Sequence, residues 1–288
     1  MLLTEFLRLI YVPLRLRGRS PNSVRLLQHA GNQYGRFLGR PATLADLEDL
    51  QVARFLTHRG EAVSAHSVER ERNGLLALWR LAADRGLLKL RPCVPGEPLP
   101  ERVPRAFTVD ELHRLAAVCR KQPGSVGEVP AAIFWLALLA VLLESGERVH
   151  AILHTPRDGW ASPWLHVPAH VRKGRARARA YELSPMTAAL LDTAAQHGGP
   201  LLLAWPYDQA TLYNRWKRIA VAAGLGSGRE VMFHALRRTC ASHLAAAGVD
   251  ATAYLGHSSD SITRRHYLDP RIVHGSARRP IDHLPRLG

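Results

Sequence analysis

The pattern of apolar positions divides the chain before any single residue is considered. From Ser20-Pro21, a capping residue followed by a proline suited to a first helical turn, apolar residues recur at helical spacing through Val24, Leu27, Tyr34 and Leu38 and stop near Gly39. Thr43 and Asp46 make a capping-box-like start for a second helix, whose apolar face is Leu47, Leu50, Phe55 and Leu56 and whose end falls at Gly60. Ser64 opens a third, with Val68, Leu75, Leu78, Trp79 and Ala82 on one face and Gly86 as its stop. The stretch RPCVPGEPLPERVPR, residues 91–105, holds five prolines and one glycine, which neither continue a helix nor join a sheet interior. It predicts a linker between a helical unit over 1–90 and a second unit over 106–288.

In the second unit Thr108 caps a new helix, and an apolar run of 13 residues, 131–143, predicts a helix buried on all sides. A membrane span needs about 20 apolar residues, so no membrane association is expected. Between 160 and 183 the period changes. Residues 164–167 read as a strand, a turn follows near Lys173-Gly174, and RARARAYEL then alternates strictly, which would put Arg175, Arg177 and Arg179 on one strand face. Ser184-Pro185 begins another helix, and helices continue to about Tyr267. The expected fold class is mainly α with a small antiparallel β-sheet.

Charge then changes the picture. Lysine and arginine total 39 against 24 acids, a formal net charge of +15, which predicts attraction to a polyanion, nucleic acid first among them. Only Lys89, Lys121, Lys173 and Lys217 are lysines, so the arginine excess also fits a GC-rich coding sequence, and the two readings are compatible. Cys93, Cys119 and Cys240 have no CxxC spacing and read as reduced thiols of a cytosolic protein. Glu5 and Arg8 interrupt the apolar N-terminus, and no small-residue cleavage site follows, so no signal peptide is expected. The 15 histidines invite a metal reading. Yet His234 and His243 are nine apart and no cysteine or acid completes a ligand set, so no metal or other cofactor is expected.

Three segments carry candidate chemistry. In FHALRRTCASHLAAAG, 233–248, His234 and Arg237 are three apart and share a helix face, where imidazole and guanidinium together suit an anionic oxygen. In LGHSSDSITRRHYLDP, 255–270, a turn carries His257, and Tyr267 follows it by ten residues. In LLESGERVHAIL, 142–153, Arg148 follows the buried helix and a glycine turn. Taken singly these are a solvated His/Arg pair, a packed aromatic and a snorkelling arginine. Together they resemble the tyrosine recombinase, or phage integrase, family. Its pattern is an arginine after a Gly-x turn, a lysine on a β-hairpin, H-x-x-R-[RH]-[ST], L-G-H and a later tyrosine. The matching positions are Arg148, Lys173, His234, Arg237, His257 and Tyr267, in that order.

The resemblance is close over the catalytic half and follows the helical pattern in the first half. It implies a core-binding domain in 1–90 and a catalytic domain in 106–288. It also implies a site-specific recombinase that cleaves and rejoins strands through a 3′-phosphotyrosyl intermediate. On this reading Tyr267 is the nucleophile, His234 its base, and Lys173 the proton donor to the leaving oxygen. Arg148 and Arg237 clamp the phosphate, which His257 also contacts, and no metal is needed. Arg172, Arg175, Arg177 and Arg179 are expected to contact DNA, with a charge-guarded edge strand as the alternative. The expected partners are double-stranded DNA and further copies of the chain, four on two DNA sites, with the protein working at the cytoplasmic nucleoid. Residues 272–288 would dock on a neighbouring subunit. The chain begins almost directly with the helical unit, so no additional arm-binding domain is expected. Three departures from the pattern stand out: a short VDATAY segment before Leu255, Ala151 where an acid is frequent, and Glu147 where an apolar residue is usual. The competing functions are a type IB topoisomerase-like nicking and closing enzyme and a non-cutting DNA-binding protein of the same fold.

Overall fold

The computed structural model describes residues 1–18, 21–101, 103–172, 177–197 and 199–273. The chain forms two compact units, Met1–Glu101 and Arg102–Gly288. The boundary falls inside the proline-rich stretch, where 91–101 has neither helix nor strand. The N-terminal part of that stretch is held to the first unit. Val94 is buried, its carbonyl accepts from Arg72 Nε at 3.0 Å, and the Cys93 N–H donates to Asp49 at 2.8 Å.

In the first unit the chain is helical almost from its start, through α1 (Leu3–Phe6), a π-turn (Leu7–Tyr11) and α2 (Val12–Arg15), with Leu3, Phe6 and Leu7 buried. Three longer helices follow: α3 (Pro21–Leu38), α4 (Asp49–Ala62) and α5 (Ala65–Asp84). Phe6, Tyr34, Val52, Phe55, Leu75 and Trp79 meet in their shared core. Gly74 sits inside α5, at a cost of roughly 1 kcal/mol relative to alanine. A Cβ there would come within 2.9 Å of the Ala30 Cβ on α3, so the glycine lets the two helices approach. Two expectations are corrected. The Thr43–Asp46 box caps only a 3-10 turn (Leu44–Asp46), and α4 begins afterwards at Asp49, which turns Leu50 out to solvent. Gly60 does not end α4, because it lies on an exposed face where its missing side chain removes no packing.

In the second unit α6 (Val109–Arg120) begins with the reciprocal Thr108–Glu111 cap. A short ladder of β1 (Ser125–Val126) and β2 (Val129–Pro130) leads into α7 (Ala131–Ser145). This helix is apolar on nearly every face and forms the centre of the unit. It packs against α6, α9 (Pro185–Ala195) and α11 (His234–Ala246). After α8 (Val149–Leu153), strands β3 (Trp160–Ala161), β4 (Trp164–Val167) and β5 (Arg179–Glu182) form an antiparallel sheet in that order. Then come α10 (Gln209–Ala222), α12 (Ala251–Leu255), α13 (Asp260–Tyr267) and α14 (Pro270–Val273). The alternating segment yields a shorter strand than its period predicts. Val167 pairs with Arg179, and the next residue of β4's chain, Pro168, has no N–H to extend the ladder. The proposed turn, with Lys173 and Arg175, lies outside the described residues.

Candidate active site

The site is built where α7 ends. Gly146 closes that helix in the left-handed region, φ 61°, and a Cβ there would lie 2.4 Å from Leu255 Cδ2 and 3.0 Å from Cys240 Sγ. Only glycine allows the chain to turn so close to α11 and α12. Glu147 then points inward and is buried, and Arg148 becomes the N-cap of α8.

Arg237 occupies the middle of the site and is only 1% exposed. Its Nη1 donates to the Gly146 carbonyl at 2.5 Å, and its Nη2 to the Leu255 carbonyl and to His257 Nε2, both at 2.9 Å. One side chain from α11 thus joins the end of α7, the end of α12 and the turn after it. No carboxylate hydrogen-bonds to Arg237 among the described residues, and its Nε–H is buried without a partner. A buried donor left open costs about 1–3 kcal/mol, and an anionic oxygen would remove that cost. Burial and the nearby Arg148 guanidinium hold the Arg237 pKa below the ordinary arginine value.

His257 has a defined tautomer. Because Arg237 donates to Nε2, the ring proton is on Nδ1, which donates to Thr263 Oγ1 at 2.8 Å. Burial, Arg237 and Arg148 push the His257 pKa down to about 4. His234, the first residue of α11, is likewise lowered to about 4 by packing around its ring and by Arg238, Arg237, Arg148 and His257. The residue as a whole nevertheless remains exposed to solvent. The buried Tyr267 ring lies between these imidazoles, with centroids 5.1 Å from His234 and 4.2 Å from His257, and the Arg237 guanidinium carbon is 5.6 Å from its centre. Behind it the chain is bolted down. Ser242 Oγ donates to the Tyr267 carbonyl and accepts from the Asp269 N–H, while the buried Asp269 carboxylate accepts from the Ala106 N–H at 2.7 Å and from Arg271.

Five of the six expected site residues are therefore gathered, from stretches 119 residues apart between Arg148 and Tyr267; Lys173 lies outside the described residues. The arrangement concentrates positive charge around one phenol with two neutral imidazoles beside it, which suits attack on an anionic phosphorus centre without a metal. No group of three or more His, Cys, Asp or Glu side chains suited to a metal occurs among the described residues.

The expected arginine stripe is corrected. Arg179 shares the inward face of β5 with buried Tyr181 and donates through Nη1 to the Ala253 and Tyr254 carbonyls at 2.8 and 2.6 Å, capping the end of α12. Arg177 precedes the strand and is exposed. Arg172 directs Nε to Glu147 at 2.5 Å and Nη1 to the Arg177 carbonyl at 2.8 Å. Sequence reasoning passed over Thr263, Arg238 and Asp269. Arg238 lies close enough for the Tyr267 phenol to influence its titration, and its buried Nε also lacks a partner. Only the doubled arginine of the LRRT segment hinted at it.

Comparison with known proteins places the chain. The sequence pattern of the phage integrase family matches residues 191–272. Tyrosine recombinase XerC of Neisseria meningitidis serogroup C is 31% identical over 241 residues, covering 78% of this chain and 75% of the relative. A lambda integrase dimer bound to a COC′ core site superposes with a TM-score of 0.71 at 19% identity, covering 91% of this chain and 97% of that one. A lambda integrase tetramer bound to a Holliday junction gives 0.73 at 19% identity, covering 97% and 79%.

Proposed function

The chain belongs to the phage integrase family of tyrosine recombinases, and from this premise we propose how its residues cut and rejoin DNA. The protein is a site-specific DNA recombinase. The Tyr267 hydroxyl oxygen attacks the scissile phosphorus, the bond from phosphorus to the 5′ sugar oxygen breaks, and the strand is left joined to the protein as a 3′-phosphotyrosine. A phenol is a poor nucleophile until its proton leaves, and His234, neutral at pH 7, accepts it. Lys173 gives a proton to the departing oxygen. Arg148 and Arg237 hold the non-bridging oxygens and stabilise charge in the transition state. His257 fixes Arg237 by accepting from its Nη2; to donate to a phosphate oxygen through Nε2 the ring must first take its proton there and give up the Arg237 contact. No water enters the bond, so the reverse attack by a sugar hydroxyl reseals the strand without ATP.

The observation that carries this reading is the placing of Tyr267 between His234 and His257 against Arg237, with an open Nε–H beside it. A nicking and closing enzyme would use the same chemistry, but the relatives are recombinases. The test is covalent trapping. Wild-type protein incubated with nicked duplex fragments should yield a DNA adduct stable to denaturation, and Tyr267→Phe should yield none. An adduct on Tyr267→Phe would displace the nucleophile, and no adduct on the wild type would favour the non-cutting reading. Sequencing the trapped DNA identifies the site.

The protein binds DNA and assembles with copies of itself. Strand exchange involves four strands and each chain supplies one tyrosine, so the proposed assembly is a tetramer on two duplexes. Residues 1–90 would bind the core site, 91–105 would connect, and 106–288 would cut, at the cytoplasmic nucleoid. Among the described residues no helix is long and apolar enough to cross a membrane.

A further inference from the structure

Arg238 is the charge in the site to which the proposed chemistry gives no task. It lies on α11 one turn after His234 and is half-buried, with Nη2 donating to the Glu230 carbonyl at 2.9 Å. That bond anchors one end of the guanidinium. At the other end the Nε–H is sealed from water and has no hydrogen-bond partner. No carboxylate hydrogen-bonds to Arg238 among the described residues. Asp269, one of the acids that act on it, is taken up by Arg271 and the Ala106 N–H. Buried donors are normally satisfied, and charged ones are the costliest to leave open. An open one in a reaction site therefore marks a place where an acceptor arrives or acquires charge.

The surroundings point to the Tyr267 oxygen as that acceptor. His234, on the same helix face as Arg238, places its ring 5.1 Å from the Tyr267 ring, centroid to centroid. Burial holds the Arg238 pKa below the ordinary arginine value, and Tyr267 is the largest of the charges acting the other way. After the packing around its ring, Arg238 is also the strongest influence keeping His234 neutral. Arg148 and Arg237 are assigned to the non-bridging oxygens of the phosphate. Neither is assigned to the phenol oxygen, where negative charge gathers as His234 removes the proton.

We propose that Arg238 is a third catalytic arginine, which donates its Nε–H to the Tyr267 oxygen as the phenol gives its proton to His234 and bonds to phosphorus. In resealing, the sugar hydroxyl attacks, the bond from phosphorus to the tyrosine oxygen breaks, and the same donor meets the departing phenolate. A donor fixed in advance, in a site closed to water, acts on developing charge more strongly than water does. The inference rests on the reading of Tyr267 as nucleophile and His234 as its base.

The experiment is single-turnover cleavage of nicked duplexes carrying the trapped site, by protein with either tyrosine or a difluorotyrosine at position 267. The fluorinated phenol ionises more readily and so depends less on a donor to its oxygen. With tyrosine, Arg238→Gln should lose about 100-fold, the scale for one donor to a developing oxyanion. Arg238→Lys keeps the charge but not the planar Nε–H, and should be about tenfold slow. With difluorotyrosine the Arg238→Gln loss should shrink to about tenfold, because a loss that follows phenol ionisation changes by about tenfold per pKa unit. DNA affinity and its salt slope, measured on a Tyr267→Phe background, should be unchanged by Arg238→Gln. Equal losses with both nucleophiles would overturn the proposal, as would unchanged rates in both Arg238 variants. A salt slope shifted by about 0.9 would overturn it in favour of a phosphate contact. Arg238→Lys carries the same comparison where the glutamine variant folds poorly. If Tyr267→Phe itself forms an adduct, the nucleophile reading fails first, and the two failures are told apart.

Discussion

At the scale of single residues, the proton positions in the site are decided by who donates to whom. Arg237 has no lone pair to offer, so His257 Nε2 must accept from it, and a second proton on that ring would face a guanidinium N–H. Both His234 and His257 stay neutral down to about pH 4, whereas in the unfolded chain they take up protons near the ordinary 6.5. Their linkage to stability follows in sign. The unfolded state binds more protons between those values, so stability is complete above about pH 6.5 and falls as pH drops toward 4. The same shift governs the rate. An ordinary imidazole base would be roughly nine-tenths protonated at pH 5.5 and would cost about tenfold in cleavage. Here the single-turnover rate at pH 5.5 should stay within about twofold of its neutral-pH value by the same titration arithmetic. An acid limb centred near 6.5 would contradict the neutral pair.

At the scale of elements, two side chains hold whole segments against the site. Arg179 satisfies the last carbonyls of α12, the helix that delivers His257, so Arg179→Gln should cost about 1–3 kcal/mol of unfolding free energy and slow cleavage. The salt dependence of DNA binding should not change. Were Arg179 a phosphate contact, the log–log slope would shift by about 0.9, and such a shift would refute the capping role. Asp269 plays the matching part after α13, where its carboxylate joins the end of the tyrosine helix to Ala106. Burial raises its pKa, but hydrogen bonds from Arg271 and the Ala106 and Arg271 N–H groups outweigh burial, and the net direction is down. Its contribution is therefore present above the unfolded carboxylate value and lost as pH falls through the depressed one. Asp269→Asn should unfold at lower temperature than wild type at neutral pH, with the gap closing in acid; a gap that is constant with pH would remove the ionic part of this account.

At the scale of the whole molecule, a charge of +15 and a site that gathers arginines predict two behaviours. DNA affinity should fall with salt at a log–log slope of about −0.9 per phosphate contacted. Cleavage should persist in excess EDTA, because guanidinium groups stand where other phosphoryl-transfer sites place Mg²⁺. Loss of cleavage in EDTA with recovery on adding Mg²⁺ would mean a different chemistry. The proposed docking role of 272–288, of which 274–288 lie outside the described residues, predicts that their deletion spares binding to one site and abolishes cooperative assembly and strand exchange; a truncated protein recombining at the normal rate would rule it out.

The sequence by itself determined most of the longer helices, several of their caps and the residues of the candidate cluster. Thr108 with Glu111, Ser184 before Pro185, and the apolar run of α7 are signals written within a few residues of each other, where local geometry decides the outcome. His234 and Arg237 were legible for the same reason, three apart on one helix. What only the tertiary structure decided is where each charge finds its partner. The alternation of RARARAYEL allowed either face of a strand to turn inward, and it was the burial of Tyr181, together with the end of the ladder at Pro168, that sent Arg179 to α12. Glu147 could be recognised as out of pattern, but its meeting with Arg172, 25 residues away, depends on how α7 and the sheet pack. Periodicity reports which side of an element is buried; it carries no information about which distant group will lie opposite, because that is fixed by long-range packing.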